Sequence, residues 1–243
     1  MSHTPTPITY TYRMFHLPTD DPLKLAYYAG KFSTLHLSAL QTSPTAFGTT
    51  FVRESAWNAT EWIGRLTRPN MHTFVAVAYD VDLPLEKQTL ETGDWIGCGT
   101  LIGPTPYETY DIPEGGGPQL GPDSEEDKWH MTFVYNEPLH RRKGVSKRLI
   151  QSSLDYTEAL AREQGKKSWM RIFIHPSNLV VKDLYSGLGF REAGHCTFVE
   201  AVQANGDPEL LPEDGGYSDK EKYHTRLGLT MMRRSDGDTL AFN

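Results

Sequence analysis

The sequence predicts an α/β fold in which one mixed sheet carries helices on both faces. Three observations support this. Strand-like and helix-like segments interleave along the chain, three strand-like segments follow one another in the middle, and no internal repeat or heptad pattern appears. The uninterrupted run of strands argues against a doubly wound nucleotide-binding fold, whose strands and helices alternate. The 243 residues suffice for a sizeable core, and we read 1–243 as one domain.

Ile8–Leu17 is the first predicted strand, with Tyr10, Tyr12 and Met14 alternating onto one face. Thr19-Asp20-Asp21-Pro22 combines capping residues with a proline suited to a first helical turn. It predicts a helix over Leu23–Leu40 that ends near Ser43-Pro44. A short helix, Thr60–Leu66, precedes strands over Thr73–Tyr79 and Trp95–Ile102. Segment 103–127 holds seven acidic residues, no Lys or Arg, and Gly115-Gly116-Gly117-Pro118, which predicts a long loop. A strand over Trp129–Asn136 follows. The next helix carries the stripe Val145, Leu149, Ser153, Tyr156 and Leu160, with Gly165 as its C-cap. Trp169–His175 predicts a strand, Asn178–Leu188 a helix closed by Gly189, and the segment from Phe190 to Val202 another strand. Residues 206–221 read as a second acidic loop, His224–Arg233 as the last strand, and the tail after Ser235 as frayed.

Composition excludes several classes. A chain with 23% charged residues of both signs is too mixed for an acidic disordered protein. A formal net charge of −7 is the wrong sign for a surface devoted to nucleic acid. Met1 to Tyr12 lacks an apolar core of the secretory type, and Phe74–Tyr79, the longest apolar run, is too short to cross a bilayer. Cys98 and Cys196 form no C-x-x-C and read as reduced thiols, so a cytoplasmic protein without membrane or nucleic-acid partners is expected. The segments 103–127 and 206–221 carry −7 and −5, which leaves +5 on the rest of the chain.

Much of that positive charge lies in Arg141-Arg142-Lys143-Gly144-Val145-Ser146-Lys147-Arg148, five basic residues in eight. They stand between a predicted strand and a long helix. A helix N-terminus offers unpaired N–H groups and the positive end of its dipole, which suits a phosphate, and flanking Arg and Lys add charge. A solvated basic helix start is the competing explanation. Other phosphate motifs are absent: there is no Walker-type loop, and Gly97-Cys98-Gly99 is followed by Ile102 where a third glycine belongs. The nine histidines are scattered without metal-ligand spacing, so no metal is expected.

Arg141-x-x-Gly144-x-Ser146, after a strand and opening a helix, resembles the acetyl-CoA pyrophosphate motif of the GCN5-related N-acetyltransferases, with Ser146 in place of the usual Gly or Ala. Asn178, Leu184-Tyr185 and Gly189-Phe190 resemble a second segment of that family, with Val181 where Ala is usual. Ser43-Pro44-x-Ala46-Phe47-Gly48 is similar to members that act on small amines. The resemblance covers most of residues 8–233. It implies that strands 129–136 and 169–175 are parallel neighbours that splay apart around the pantetheine arm of acetyl-CoA. Backbone groups of Val134, Tyr135 and Asn136 would pair with that arm, and Arg141, Arg142, Lys143, Gly144, Val145, Ser146 and Lys147 would hold the pyrophosphate. Asn178 would touch the arm or cap its helix. Tyr185 would protonate or hydrogen-bond the departing sulfur. His130, eleven residues before Arg141, is the first candidate for the base, followed by His175 or water, while Glu137 would orient the turn.

The expected reaction is direct acetyl transfer to a primary amine of a small molecule. Peptide acetylation and a non-catalytic acyl-CoA sensor are the alternatives. The acidic segments would attract a cationic amine through their field or serve only as solvated surface.

Overall fold

The computed structural model describes residues 9–236. Local signals start its elements where the chemistry demands. Asp21 caps α1 (Pro22–Thr42) by accepting from Leu23 N at 3.0 Å, with Pro22 in the first turn. A one-turn helix, α2 (Phe51–Glu54), and α3 (Ala59–Leu66) follow, the latter held by a capping box between Asn58 and Glu61. The strands are β1 (Tyr10–His16), β2 (Met71–Asp80), β3 (Asp94–Ile102), β4 (Glu126–Asn136), β5 (Lys167–Ile174), β6 (Arg191–Thr197) and β7 (Leu227–Arg234). The remaining helices are α4 (Tyr107–Tyr110), α5 (Val145–Glu163), α6 (Leu179–Ser186) and α7 (Phe198–Ala204).

All seven strands join one sheet in the order β1-β2-β3-β4-β5-β7-β6. Only β4 and β5 run parallel; every other pairing is antiparallel. The sheet is therefore mixed, as expected. Its interior is covered on both sides, which explains the continuous apolar run in β2. Phe74, Ala76 and Ala78 pack with Val145, Leu149 and Leu154 of α5. Val75, Val77 and Tyr79 face the other way, onto Tyr28, Phe32 and Leu40 of α1 and Trp62 of α3. Each such buried Val, Leu or Phe side chain contributes roughly 1.5–3 kcal/mol, so these two layers hold the sheet.

Three expectations need correction. The strand expected from Phe190 to Val202 stops at Thr197, because Thr197 and Glu200 form a capping box that starts α7. The last strand begins at Leu227 and not at His224, since residues 221–225 coil into a π turn. Segment 103–127 is not loop throughout: it contains α4, and Glu126 and Asp127 already belong to β4. The start of the first expected strand at Ile8 and the tail beyond 236 lie outside the described residues. Among the described residues no helix is long and apolar enough to cross a membrane.

Candidate active site

The site begins with a fault in the sheet. β4 and β5 pair only from Glu126 with Lys167 to His130 with Arg171. Beyond that rung β4 continues to Asn136 and β5 to Ile174 without pairing each other, which leaves a wedge-shaped gap. A β-bulge accompanies it: between the pairs Cys98–Tyr135 and Thr100–Thr132, Gly99 opposes both Phe133 and Val134. Phe133 adopts φ +53°, a left-handed conformation that costs roughly 1–2 kcal/mol for a residue with a side chain. Packing offsets this cost. The Phe133 ring is stacked between His36, at 3.6 Å and 9°, and Phe47, at 4.2 Å and 21°.

The bulge also exchanges the two faces of β4, as one extra residue must. Trp129 and Met131 pack on the α5 side, whereas Phe133 and Tyr135 pack on the α1 side. The edges of β4 and β5 that face the gap carry backbone N–H and C=O groups with no strand partner. An extended ligand can pair with them as an added strand. Val134 is half-buried there, while Tyr135 is anchored to α1 through its hydroxyl, 3.0 Å from Thr42 Oγ1. Asn136 shapes the exit: its Nδ2 donates to His140 O at 3.0 Å, and Arg141 Nε donates to Asn136 O at 3.1 Å.

At that exit the chain turns into α5. Arg142 has φ +60° and Gly144 φ +75°, a pattern of left-handed residues that gathers backbone N–H groups into a concavity for an anion. Gly144 caps α5 without any side-chain hydrogen bond, so the N–H groups of Val145, Ser146 and Lys147 have no intrahelical partner. Nothing lies within 4 Å of where a Gly144 Cβ would stand, so the approach is open. Arg141, Arg142, Lys143 and Lys147 are exposed and make no carboxylate ion pair among the described residues, Lys143 lying 5.5 Å over the Tyr10 ring. Open amides, a free dipole end and unpaired cations suit a pyrophosphate.

Two expected catalytic residues lie on opposite faces of the sheet. Tyr185, on α6, belongs to the α5-side core and meets Phe190 edge to face at 5.1 Å. Burial alone pushes its hydroxyl above the ordinary tyrosine value. His130 sits on the other face at the last paired rung, 3% exposed, its ring 4.7 Å from Phe173. Burial, and secondarily the Arg171 cation, hold its imidazole well below the usual histidine value, and its Nδ1 has no hydrogen-bond partner. The other candidates differ in surroundings. His175 is exposed, with Nδ1 2.7 Å from Ser177 Oγ. Half-buried Glu137 has its carboxyl raised by desolvation and by Asp94. Asn178 caps α6 by accepting from Val181 N at 3.3 Å, and it is exposed beside the gap-lining strand.

A model of the acetyltransferase (GNAT) family matches residues 39–190, from the end of α1 through the gap and the amide loop to Phe190. The chain belongs to the GNAT acetyltransferases. As a GNAT protein it is an acyltransferase. Solved structures share the fold at low identity. NAA60 of Arabidopsis thaliana, described in complex with acetyl-CoA, matches with TM-score 0.53 at 12% identity, over 94% of this chain and 99% of that one. A protein of Acinetobacter baylyi ADP1 described as a candidate acetyltransferase gives 0.54 at 14%, over 94% and 95%. A GNAT acetyltransferase of Streptococcus pneumoniae gives 0.52 at 11%, over 92% and 99%. No curated protein sequence matches significantly.

In this GNAT chain the side of the sheet that holds His130 is roofed by distant segments. A Cβ on Gly48 would lie 3.0 Å from the Phe198 ring, so the connection after α1 packs directly on α7. Arg68 pairs with Asp207, and Arg53 donates to Glu209 O at 2.6 Å, which ties the second acidic segment to α2 and α3. The first segment is stapled similarly: Asp123 pairs with Lys128 at 2.9 Å, Asp127 with Lys166 at 3.0 Å, and Glu126 accepts from Trp169 Nε1 at 2.8 Å. Several of the acidic residues thus serve the fold. Sequence reasoning missed this roof, His36, Arg171 and α7; only α7 had a legible signal, Thr197-x-x-Glu200. A surface groove of about 370 Å³ lined by Arg13, Met14 and Arg148 lies at the β1 edge, away from the gap. Among the described residues no cluster of His, Cys, Asp or Glu could hold a metal ion.

Proposed function

We propose that the protein transfers the acetyl group of acetyl-CoA to a primary amine of a small molecule, directly and within a ternary complex. One observation carries this reading: the unpaired edges of the β4–β5 gap are joined by the single turn 137–141 to the open amides of Arg142–Lys147. That path suits a pantetheine arm followed by a pyrophosphate, with Val134, Tyr135 and Asn136 along the arm and Arg141 and Lys143 adding charge. Acetyl-CoA supplies an activated thioester carbonyl. The N–H groups of the gap polarise the carbonyl oxygen. His130, neutral at neutral pH, takes the proton that the attacking amine must lose, directly or through water. As the C–N bond forms and the C–S bond breaks, the Tyr185 hydroxyl donates a hydrogen bond to the departing sulfur. Its raised value keeps it protonated, so it shares its proton more readily than it surrenders it to a thiolate of ordinary basicity near 8.5.

A small acceptor is favoured by the closure of α7 on Gly48 and by the Arg68–Asp207 tie, which narrow the approach from the His130 side. We read the chain as one domain, on its single sheet, and as cytoplasmic, on its two buried free thiols. Thiol release from acetyl-CoA, measured across small amines and peptides with free N-termini, tests the reading. Turnover on small amines with little on peptides is expected, and the reverse preference assigns a peptide acceptor. Tyr185→Phe should lower kcat about tenfold to a hundredfold with KM for acetyl-CoA little changed. Tight cofactor binding with no turnover on any acceptor would make the protein a sensor.

A further inference from the structure

We propose that Arg171 is a positioning residue for acyl transfer, a pin that fixes the roof of the acceptor side to the vertex of the gap. The inference rests on the acyl-transfer reading and adds a residue to it. Arg171 is 2% exposed on β5 and stands opposite His130 in the last paired rung, where the two strands part. Its guanidinium donates to Tyr110 O and, at 3.2 Å, to Ala204 O. Those carbonyls end α4 and α7, the two short helices that belong to or adjoin the acidic segments. The guanidinium also lies 3.8 Å over the Tyr110 ring and 4.7 Å over Phe173, the ring that His130 packs against.

The charge balance singles this residue out. Among the described residues Arg171 makes no ion pair with a carboxylate, and its Nε has no partner. Its charge rests mainly on two helix C-termini and two aromatic faces, weak but well-directed counterparts, with the Asp111 carboxylate a lesser one beyond ion-pair distance. Burying a guanidinium on such terms carries a desolvation penalty that an apolar residue of similar size avoids. What Arg provides in return is a planar fork that can hold two carbonyls from different segments at once. Lysine has one nitrogen and cannot span them in the same geometry. The pin also sets what faces His130: with Arg171 in place, Phe173 on one strand and the ends of α4 and α7 above form the wall that an acceptor meets. The amide loop at Gly144 lies at the other end of β4, beyond the bulge, so the pin should act on the acceptor and spare the cofactor.

Arg171→Met and Arg171→Lys in the full chain test this. Acceptor KM, kcat, acetyl-CoA Kd and proteolytic cleavage within 103–127 and 206–221 would be measured beside the wild type. The expected result is an acceptor KM raised about tenfold or more in both variants while acetyl-CoA Kd stays within about twofold. Cleavage should accelerate in both segments together. Lys should restore little, because charge without the fork is insufficient. An unchanged acceptor KM, equal weakening of acetyl-CoA and acceptor, or full rescue by Lys overturns the proposal. Should neither variant fold, hydrogen exchange of the wild type decides. Amides at 107–111 and 200–206 that open at a common rate support the pin, whereas rates differing by more than about tenfold overturn it. A wild type that binds acetyl-CoA yet acetylates nothing refutes the transfer reading instead, and the proteolysis and exchange arms still judge the pin.

Discussion

The two ends of the gap are built on different principles. The end proposed to hold the cofactor is a contiguous stretch, Val134 to Lys147, whose donors are mostly backbone amides presented by one bulge, one turn and one helix start. The acceptor side draws on α1, α2, α4, β5 and α7, joined by side-chain contacts between residues far apart in the chain. Main-chain recognition needs little more than the correct local backbone. A roof assembled from many segments can be altered without disturbing that backbone.

The largest test of this contrast is the buried pair in the roof. His36 Nε2 lies 2.6 Å from Glu54 Oε2, with side chains 0% and 1% exposed, and His36 stacks on the bulge residue Phe133. Burial holds His36 neutral, so the contact is an imidazole beside a buried carboxylate, and Glu54→Leu, which strands the imidazole, should cost about 1.5–3 kcal/mol in urea unfolding. If instead the loss is under about 1 kcal/mol, the pair does not brace the bulge and the contrast weakens. Smaller and confined to the other end is Gly144→Val. An added Cβ meets nothing there, so the main penalty is the left-handed backbone, about 1–2 kcal/mol. Calorimetry should find acetyl-CoA binding weaker by about tenfold, with acceptor KM unaltered.

Acid probes the histidines. His16, His36, His72 and His130 all have imidazoles lowered chiefly by burial, so the unfolded chain takes up protons first as pH falls. Stability is therefore fully present above about 6.5 and declines as pH drops below it, which urea midpoints between pH 8 and 5 should display. Flat midpoints across that range would mean that the histidines titrate normally. The smallest effect belongs to a pair at neither end. Lys24 and Glu91 lie 3.0 Å apart with side chains 54% and 38% exposed, and Lys24→Ala should leave the urea midpoint unchanged within error.

The turn into α5, proposed to hold the cofactor, was readable because its determinants are local. Five cations, a glycine and a helical stripe in sequence announce a helix N-terminus with free amides. The α7 capping box was equally local, yet the apolar residues Phe198, Val199 and Val202 read as a strand. Phe133 could not be read, because the bulge shifts the period of β4 by one and no turn residue marks it. Arg171 was invisible for another reason. A cation between Met170 and Ile172 looks like a solvent-facing strand position until carbonyls 61 and 33 residues away close over it.

By itself the sequence determined the order of the seven strands and the four longest helices, the mixed character of the sheet and the glycine turn into α5. Periodicity, caps and turn residues act over a few positions and leave their mark in the chain. Only the tertiary structure decided where β4 and β5 part, which faces carry Tyr185 and His130, and what roofs the acceptor side. Those features depend on one residue of register and on burial by distant segments, and a buried charge or a left-handed phenylalanine persists only because packing from elsewhere outweighs its local cost.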